Sequence, residues 1–298
     1  MVTNAISIDV EDYFQVSGFE KHVSRKDWDL YPSRVVQNTR QLLAIFARHD
    51  VRATFFVLGW VAEKYPFLVK EICAQGHELG SHSYWHRLIY TMTPDEFRDD
   101  LRRSIDILQE ISGQQITSFR APSFSITNQS LWALDILAEE GILHDSSVFP
   151  TRHDRYGIPN APDNIHTVET TANSLWEFPM SVARWRRLSL PASGGGYFRL
   201  YPYAMTRYLV SRINRSGRPL MFYLHPWEID PKQPIVKGPS FLSRKRHRIN
   251  LSKTETKLEK LLTDFSFAPM THVLENQKEQ SPQSYQSHNE SYFRTSQT

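Results

Sequence analysis

From Ile6 to about Leu224, short runs of β-branched and aromatic residues alternate with stretches whose apolar residues recur at helical spacing. This alternation marks strand–helix units wound about a mostly parallel sheet or barrel. Val35, Val36, Thr39, Leu42, Leu43 and Phe46 form one helical stripe, followed by a strand over residues 53–57. The helix starting at Pro94 is the best signalled. Thr93 is its N-cap, Pro94 its first residue and Glu96 the third member of a capping box, while Gly113 stops it. Its buried side would carry Phe97, Leu101, Ile105 and Leu108. Further strands are predicted at 116–119, 143–144, 175–178 and 220–224, with a helix over 131–140 ended by Gly141. Between Pro150 and Pro202 the rhythm breaks into Pro, Gly and Asn, including Gly194, Gly195, Gly196 and Tyr197, which predicts long loops on the rim.

The pattern predicts an α/β fold over residues 1–238, a mostly parallel sheet or barrel. A basic and helical extension over 239–274 follows, its amphipathic helix marked by Leu258, Leu261 and Leu262. Residues 275–298 are Gln, Ser, Asn and Glu with almost no aliphatics, an expected disordered tail.

Composition narrows the chemistry. The 298 residues carry 35 Lys and Arg against 32 Asp and Glu, a formal charge of +3, too balanced for a general nucleic-acid binder. A short basic run at Arg244, Lys245, Arg246 and Arg248 reads as a solvated face. With Cys73 the single cysteine, a Cys-based zinc site is excluded, so a metal must take His and carboxylate ligands. Met1 to Asn4 lead straight into a strand, with no apolar stretch of signal length and no apolar span of about 18 residues. The expectation is a cytoplasmic protein without a membrane span. Its oligomeric state is not legible.

The unusual polar residues fall at the carboxyl ends of predicted strands. Asp9, Glu11 and Asp12 follow the first, His82 and His86 follow 78–80, and Arg120, Asp145 and His225 close later ones. In a parallel barrel those ends share one face, so residues more than 200 positions apart converge in one cleft. His82 and His86, spaced i and i+4, fall on one face if their segment is a helical turn, and a carboxylate from the first strand completes three ligands. In a strand Asp9 and Glu11 share a face. If the strand ends at Val10 that alternation fails, and Asp12 becomes the ligand instead.

These residues fall into four motifs in order: Ser7-Ile8-Asp9-Val10-Glu11-Asp12, His82 with His86, Arg120-Ala121-Pro122-Ser123-Phe124, and Leu224-His225-Pro226. Over roughly residues 5–230 the chain resembles the polysaccharide deacetylases of the nodulation-deacetylase type, the family 4 carbohydrate esterases. It looks closest to the subgroup found in exosortase-associated exopolysaccharide loci. The resemblance implies a distorted (β/α) barrel of about seven strand–helix units in which Asp9 is the general base, Arg120 orients it, His225 is the general acid, and Glu11 or Asp12 joins His82 and His86 around one divalent ion, most simply zinc. The loop after Pro122, with Ser123 and Phe124, would offer backbone donors to an oxyanion. Asp145 could fix the His225 tautomer. Trp85, Trp185, Tyr197, Phe198 and Trp227 are candidate walls for a sugar ring.

The implied function is a metal-dependent hydrolase that removes acetyl groups from an N-acetylated glycan or its precursor, in exopolysaccharide biosynthesis. Two alternatives share the sequence features: a cyclic-imide or ureide hydrolase on the same barrel, and a non-catalytic carbohydrate-binding protein.

Overall fold

The computed structural model describes residues 2–280 except 154, 186 and 187. The strands are β1 (Asn4–Val10), β2 (Thr54–Val57), β3 (Glu78–Ser81), β4 (Ser118–Phe119), β5 (His144–Asp145), β6 (His166–Glu169), β7 (Ser174–Glu177), β8 (Val182–Trp185), β9 (Leu188–Pro191), β10 (Met221–Leu224) and β11 (Phe267–Ala268). The helices are α1 (Val35–Arg48), α2 (Gly59–Lys64), α3 (Pro66–Ala74), α4 (Pro94–Ser112), α5 (Trp132–Glu139), α6 (Gly195–Leu200), α7 (Tyr203–Arg215), α8 (Phe241–Arg248), α9 (Leu251–Asp264) and α10 (Met270–Gln280).

β1 is buried along its whole length, and its alternation sets the architecture. Ile6, Ile8 and Val10 join the large core shared with the helices. Ala5 instead joins a second cluster with Phe56, Met221 and Tyr223 inside the curl of the sheet. Because side chains alternate along a strand, Ser7 and Asp9 lie on that same inner side. The strands run β10-β1-β2-β3-β4-β5-β7 in parallel, and β6 is antiparallel to β7 at the edge. This is the expected distorted barrel, with its polar strand ends on one rim.

Between β7 and β10 the ring is closed by stitches rather than by a ladder. The Ser181 carbonyl accepts the Ala192 N–H at 2.9 Å and the Ser193 hydroxyl at 2.9 Å. The Ser181 hydroxyl accepts the Met221 N–H at 2.9 Å. The hairpin of β8 and β9 occupies part of the stretch in which long loops were expected, so that stretch carries more structure than its Pro and Gly content suggested.

α4 has the predicted capping box, and Gly113 ends it in the left-handed conformation. At the opposite mouth, β11 pairs with the start of β1, and α10 places Met270, Val273 and Leu274 in the inner cluster beside Ala5 and Phe56. Residues from the segment read as an extension therefore plug the barrel. α10 continues to Gln280, so residues 275–280 of the expected tail are helical, while 281–298 lie outside the described residues. Among the described residues no helix is long and apolar enough to cross a membrane.

Gly194 shows how tightly the closure is built. It sits at φ +124°, bridged to Tyr223, and a Cβ there would lie 2.0 Å from the Tyr223 carbonyl oxygen. Gly194→Ala is expected to cost about 2 kcal/mol or more of unfolding free energy in urea titration. An unchanged midpoint would show that the closure can shift to admit a side chain.

Candidate active site

Arg120 lies at the centre of the rim and has no exposed surface. Its Nη1 donates to Asp9 Oδ1 at 2.8 Å and to Ser7 Oγ at 2.5 Å, its Nε to the Ser146 carbonyl at 3.0 Å, and its Nη2 to Ser146 Oγ at 2.9 Å. The guanidinium also stacks on Phe56, 4.3 Å from the ring centre. Every face of a buried cation is thus engaged, as burial of charge requires. Asp9 is held through one oxygen, and its Oδ2 faces His225 Nε2 at 4.0 Å.

His82 and His86 do not sit on a helical turn. Their segment is irregular and kinked by left-handed backbone at Ser83 (φ 65°) and His86 (φ 52°), which brings the two rings to 5.3 Å between centroids. Asp100 of α4 secures the kink by accepting the Tyr84 and Trp85 N–H groups at 2.7 and 3.0 Å. His82 Nδ1 donates to the Arg120 carbonyl at 2.8 Å, which fixes the tautomer and leaves Nε2 free as an electron-pair donor. Burial pushes His82 down to about 4, so the ring is neutral.

β1 does end at Val10, the condition under which Asp12 was expected to become the ligand. Glu11 nevertheless turns into the cluster, and its ligand atoms and those of His82 and His86 lie within 4.8 Å of one another. Asp12 lies apart. Its Oδ1 accepts the Tyr13 N–H, and its Oδ2 accepts Ser33 Oγ at 2.7 Å and the N–H groups of Arg34 and Val35 at 2.8 and 3.1 Å. It caps the start of α1 and has no lone pair to spare for a metal.

Glu11 Oε1 accepts the Trp227 indole N–H at 3.1 Å. Oε2 is buried, 2.7 Å from His86 Nε2 but without the alignment of a hydrogen bond. Burial would raise the Glu11 carboxyl, but the charges of His86, His225 and His82 outweigh it and hold the group well below the usual carboxylate range. A buried carboxylate oxygen without a donor, facing two imidazole nitrogens, is a donor set that fits a divalent cation.

His225 is positioned by a residue that the sequence reading missed. Its Nδ1 contacts Glu228 Oε1 at 2.7 Å, and its Nε2 lies 3.4 Å from Glu11 Oε1. Burial pushes His225 down, but Glu11, Glu228 and Asp9 push harder and raise it to about 9. Glu228 is fully buried and accepts Arg199 Nε at 2.6 Å. Arg199 in turn donates to the His247 and Ile249 carbonyls at 2.7 and 3.2 Å, at the end of α8. The available signal was the i, i+3 spacing of His225 and Glu228, a capping-box spacing like that of Thr93 and Glu96.

Asp145 does not take the part expected of it. Its Oδ1 accepts Ser147 Oγ at 2.5 Å, and it stands in register opposite Glu177, away from His225. Both carboxyls are fully buried. Burial raises Asp145 to about 6, and burial with the Asp145 charge raises Glu177 well above its usual range.

The expected sugar walls divide. Trp227 is 5 % exposed, stacked between His225 (5.2 Å) and His247 (4.2 Å), so it orients Glu11 and has no open face for a ring. Phe198 is buried against Phe222. The Trp185 side chain lies outside the described residues. Trp85 is half-buried beside Trp28, and Tyr197 is half-buried with its hydroxyl 3.4 Å from that of Tyr156. Ser123 and Phe124 both adopt left-handed backbone, at φ 52° and 54°, and Ser123 Oγ lies 2.5 Å from Ser17 Oγ. Phe124 packs on Tyr223 at 4.9 Å. The Phe124 and Ser125 N–H groups go to the Ala121 and Pro122 carbonyls, so the Ser123 N–H is the donor this loop can offer an oxyanion. Among the described residues, four of the six non-glycine positions at positive φ thus flank the cluster, where backbone strain is commonly held for function.

The Asp145–Glu177 pair has a measurable consequence. Carboxyls raised in the folded state bind more protons there than in the unfolded chain, so they stabilise at low pH; the Asp145 contribution is lost as pH rises through about 4 to 6 and that of Glu177 continues to fall above its usual range. Glu177→Gln keeps an acceptor for the Val148 N–H, which Glu177 receives at 3.0 Å. The variant is expected to be more stable than the parent at neutral pH, with a urea-unfolding profile that falls less as pH rises from about 4 to neutral. An identical pH profile would show that the pair carries no proton linkage.

Residues 27–139 match the family model described as polysaccharide deacetylase, and residues 146–275 match one described as a domain of unknown function (DUF3473). A peptidoglycan-N-acetylglucosamine deacetylase of Bacillus cereus is 37 % identical over 98 residues, which cover 33 % of this chain and 36 % of that protein. A peptidoglycan deacetylase of Helicobacter pylori is 29 % identical over 108 residues, 36 % of each chain. The chain thus spans about a third of the length of the curated relatives it matches. The fold as a whole is similar to the crystal structure of a Mycobacterium smegmatis protein assigned to the polysaccharide deacetylases, with a TM-score of 0.63 and 20 % identity over 94 % of this chain and 91 % of that one. His82, His86 and Arg120 lie in the first matched segment, His225, Glu228 and Arg199 in the second, and Asp9 and Glu11 ahead of both. The likeness of this chain to the polysaccharide deacetylases is thus carried in sequence by residues 27–139.

Proposed function

We propose that the chain is a metal-dependent amide hydrolase that removes acetyl groups from N-acetylated amino sugars of a polysaccharide or its precursor, with zinc as the ion and exopolysaccharide biosynthesis as the setting. The observation that carries this reading is the convergence on one point of Glu11, His82 and His86 with two differently held side chains, Asp9 on Arg120 and His225 on Glu228. The deacetylase names of the relatives support the substrate class.

Glu11, His82 and His86 would hold the ion, which when bound polarises the acetyl carbonyl and acidifies a water. Asp9 is anchored to Arg120 through Oδ1, so Oδ2 is the atom that takes the proton from the attacking water. The charges of Glu228 and Asp9 favour the protonated ring of His225, and with Nδ1 occupied by Glu228, Nε2–H is the proton given to the departing amine. The Ser123 N–H stands as donor to the oxygen that becomes negative as the tetrahedral centre forms. Acetate and a free amino sugar are the products.

The roles separate by leaving group. An amine must be protonated to depart, whereas the phenolate of an activated aryl acetate hardly needs it. His225→Ala is expected to slow N-deacetylation of a chitooligosaccharide by about a hundredfold or more, while aryl acetate hydrolysis falls by less than about tenfold. Asp9→Asn, which removes the base needed in both reactions, is expected to slow both by about a hundredfold. Equal losses on the two substrates for His225→Ala would assign that residue to binding and leave the reaction without an acid.

A further inference from the structure

α8 is fastened to the barrel on one side only. On the inner side the His247 ring lies on Trp227, its Nε2 is 2.8 Å from Gln233 Oε1, and Arg248 donates to the Gln233 and Pro231 carbonyls. On the outer side Phe241, Leu242, Lys245 and Arg246 are exposed at spacings of one and four residues, which places them on one helical face. Phe241 is 73 % and Leu242 56 % exposed, and Ile235, just ahead of the helix, is 61 % exposed. Lys232 and Lys237 are exposed in the same approach. Among the described residues none of Lys232, Lys237, Lys245 and Arg246 is paired with a carboxylate.

Bulky apolar side chains beside unpaired cations are the composition of a surface that sinks into the headgroup region of an anionic bilayer. A soluble polyanion would use the cations but give Phe241, Leu242 and Ile235 no apolar phase to enter. A second copy of the chain would bring like charges against like. The patch also borders the cleft. His247 packs on Phe19 at 4.8 Å, Gly238 lies against His22, and Ser17 of the same loop meets Ser123 of the active-site rim.

We propose that Ile235, Phe241 and Leu242, with Lys232, Lys237, Lys245 and Arg246, form a peripheral docking surface for an anionic lipid bilayer that holds the cleft near the headgroups. In its use this rests on the deacetylase reading: a cleft so held reaches glycans carried on a lipid anchor. In its physics it does not, since membrane binding requires no turnover.

The test is co-sedimentation of the full chain with vesicles of phosphatidylcholine alone and of phosphatidylcholine with phosphatidylglycerol. Binding is expected only to the anionic vesicles and should weaken with added salt. Each basic residue at an anionic surface is worth roughly fivefold in partitioning, so Lys245→Glu with Arg246→Glu should lower it by about twentyfold or more. Phe241→Ser with Leu242→Ser should lower it by about tenfold or more. These exposed positions lie outside the catalytic cluster, so hydrolysis of a soluble aryl acetate should be unchanged in both variants. Absence of binding to anionic vesicles overturns the proposal. So does loss of binding in the charge variant alone, which would identify a polyanion site, or full competition by a soluble anionic polysaccharide. Failure of the deacetylase reading would show separately, as a chain that sediments with vesicles but does not release acetate from N-acetylated sugars.

Discussion

The guanidinium of Arg120 is a full charge removed from water at the centre of the barrel rim, and the surrounding strands are arranged to satisfy it. Ser7 and Asp9 reach it from β1, Ser146 from the end of β5, and Phe56 of β2 covers its face. Loss of its partners would leave an uncompensated buried charge, at a cost of about 3–5 kcal/mol. The same contacts fix one oxygen of Asp9 and free the other, and the Arg120 carbonyl fixes the tautomer of His82. One residue thereby sets both the Asp9 carboxylate and the orientation of the His82 ring.

A second line of support comes from the far end of the chain. The orphan carbonyls at the end of α8 are satisfied by Arg199, which clamps Glu228, which holds His225. Trp227, stacked between two imidazoles, directs one oxygen of Glu11 and leaves the other toward the histidines. Residues beyond 238 therefore belong to the architecture of the cleft. The segment that matches a model of unknown function carries the framework of His225, and the segment that matches the deacetylase model carries His82 and His86.

Local rules were legible wherever a residue's task is local. Thr93, Pro94, Glu96 and Gly113 announced α4, and the alternation of aromatic runs with helical stripes announced the barrel. The convergence of polar residues at strand ends followed from topology alone. What could not be read was decided by contacts across the chain. Asp12 looks like a ligand beside Glu11, but α1 begins where its carboxylate can cap it, and three backbone or hydroxyl donors spend its lone pairs there. The spacing of His82 and His86 suggested a helical turn, whereas two left-handed residues bring the rings together. Asp145 faces a second buried carboxylate across a strand pair that sequence could not register, and Glu228 was overlooked although its spacing from His225 is that of a capping box. Trp227 read as a sugar platform because an aromatic residue near a cleft carries no mark of which faces are already covered.

The central claim is that Glu11, His82 and His86 form one site for one divalent ion. Elemental analysis of protein purified without chelator tests it most directly, compared with the double variant His82→Ala and His86→Ala checked for folding by circular dichroism. The account predicts one equivalent of divalent metal per chain in the parent and almost none in a folded double variant. An unchanged metal content in that variant, or a parent chain that takes up no divalent ion, would contradict it.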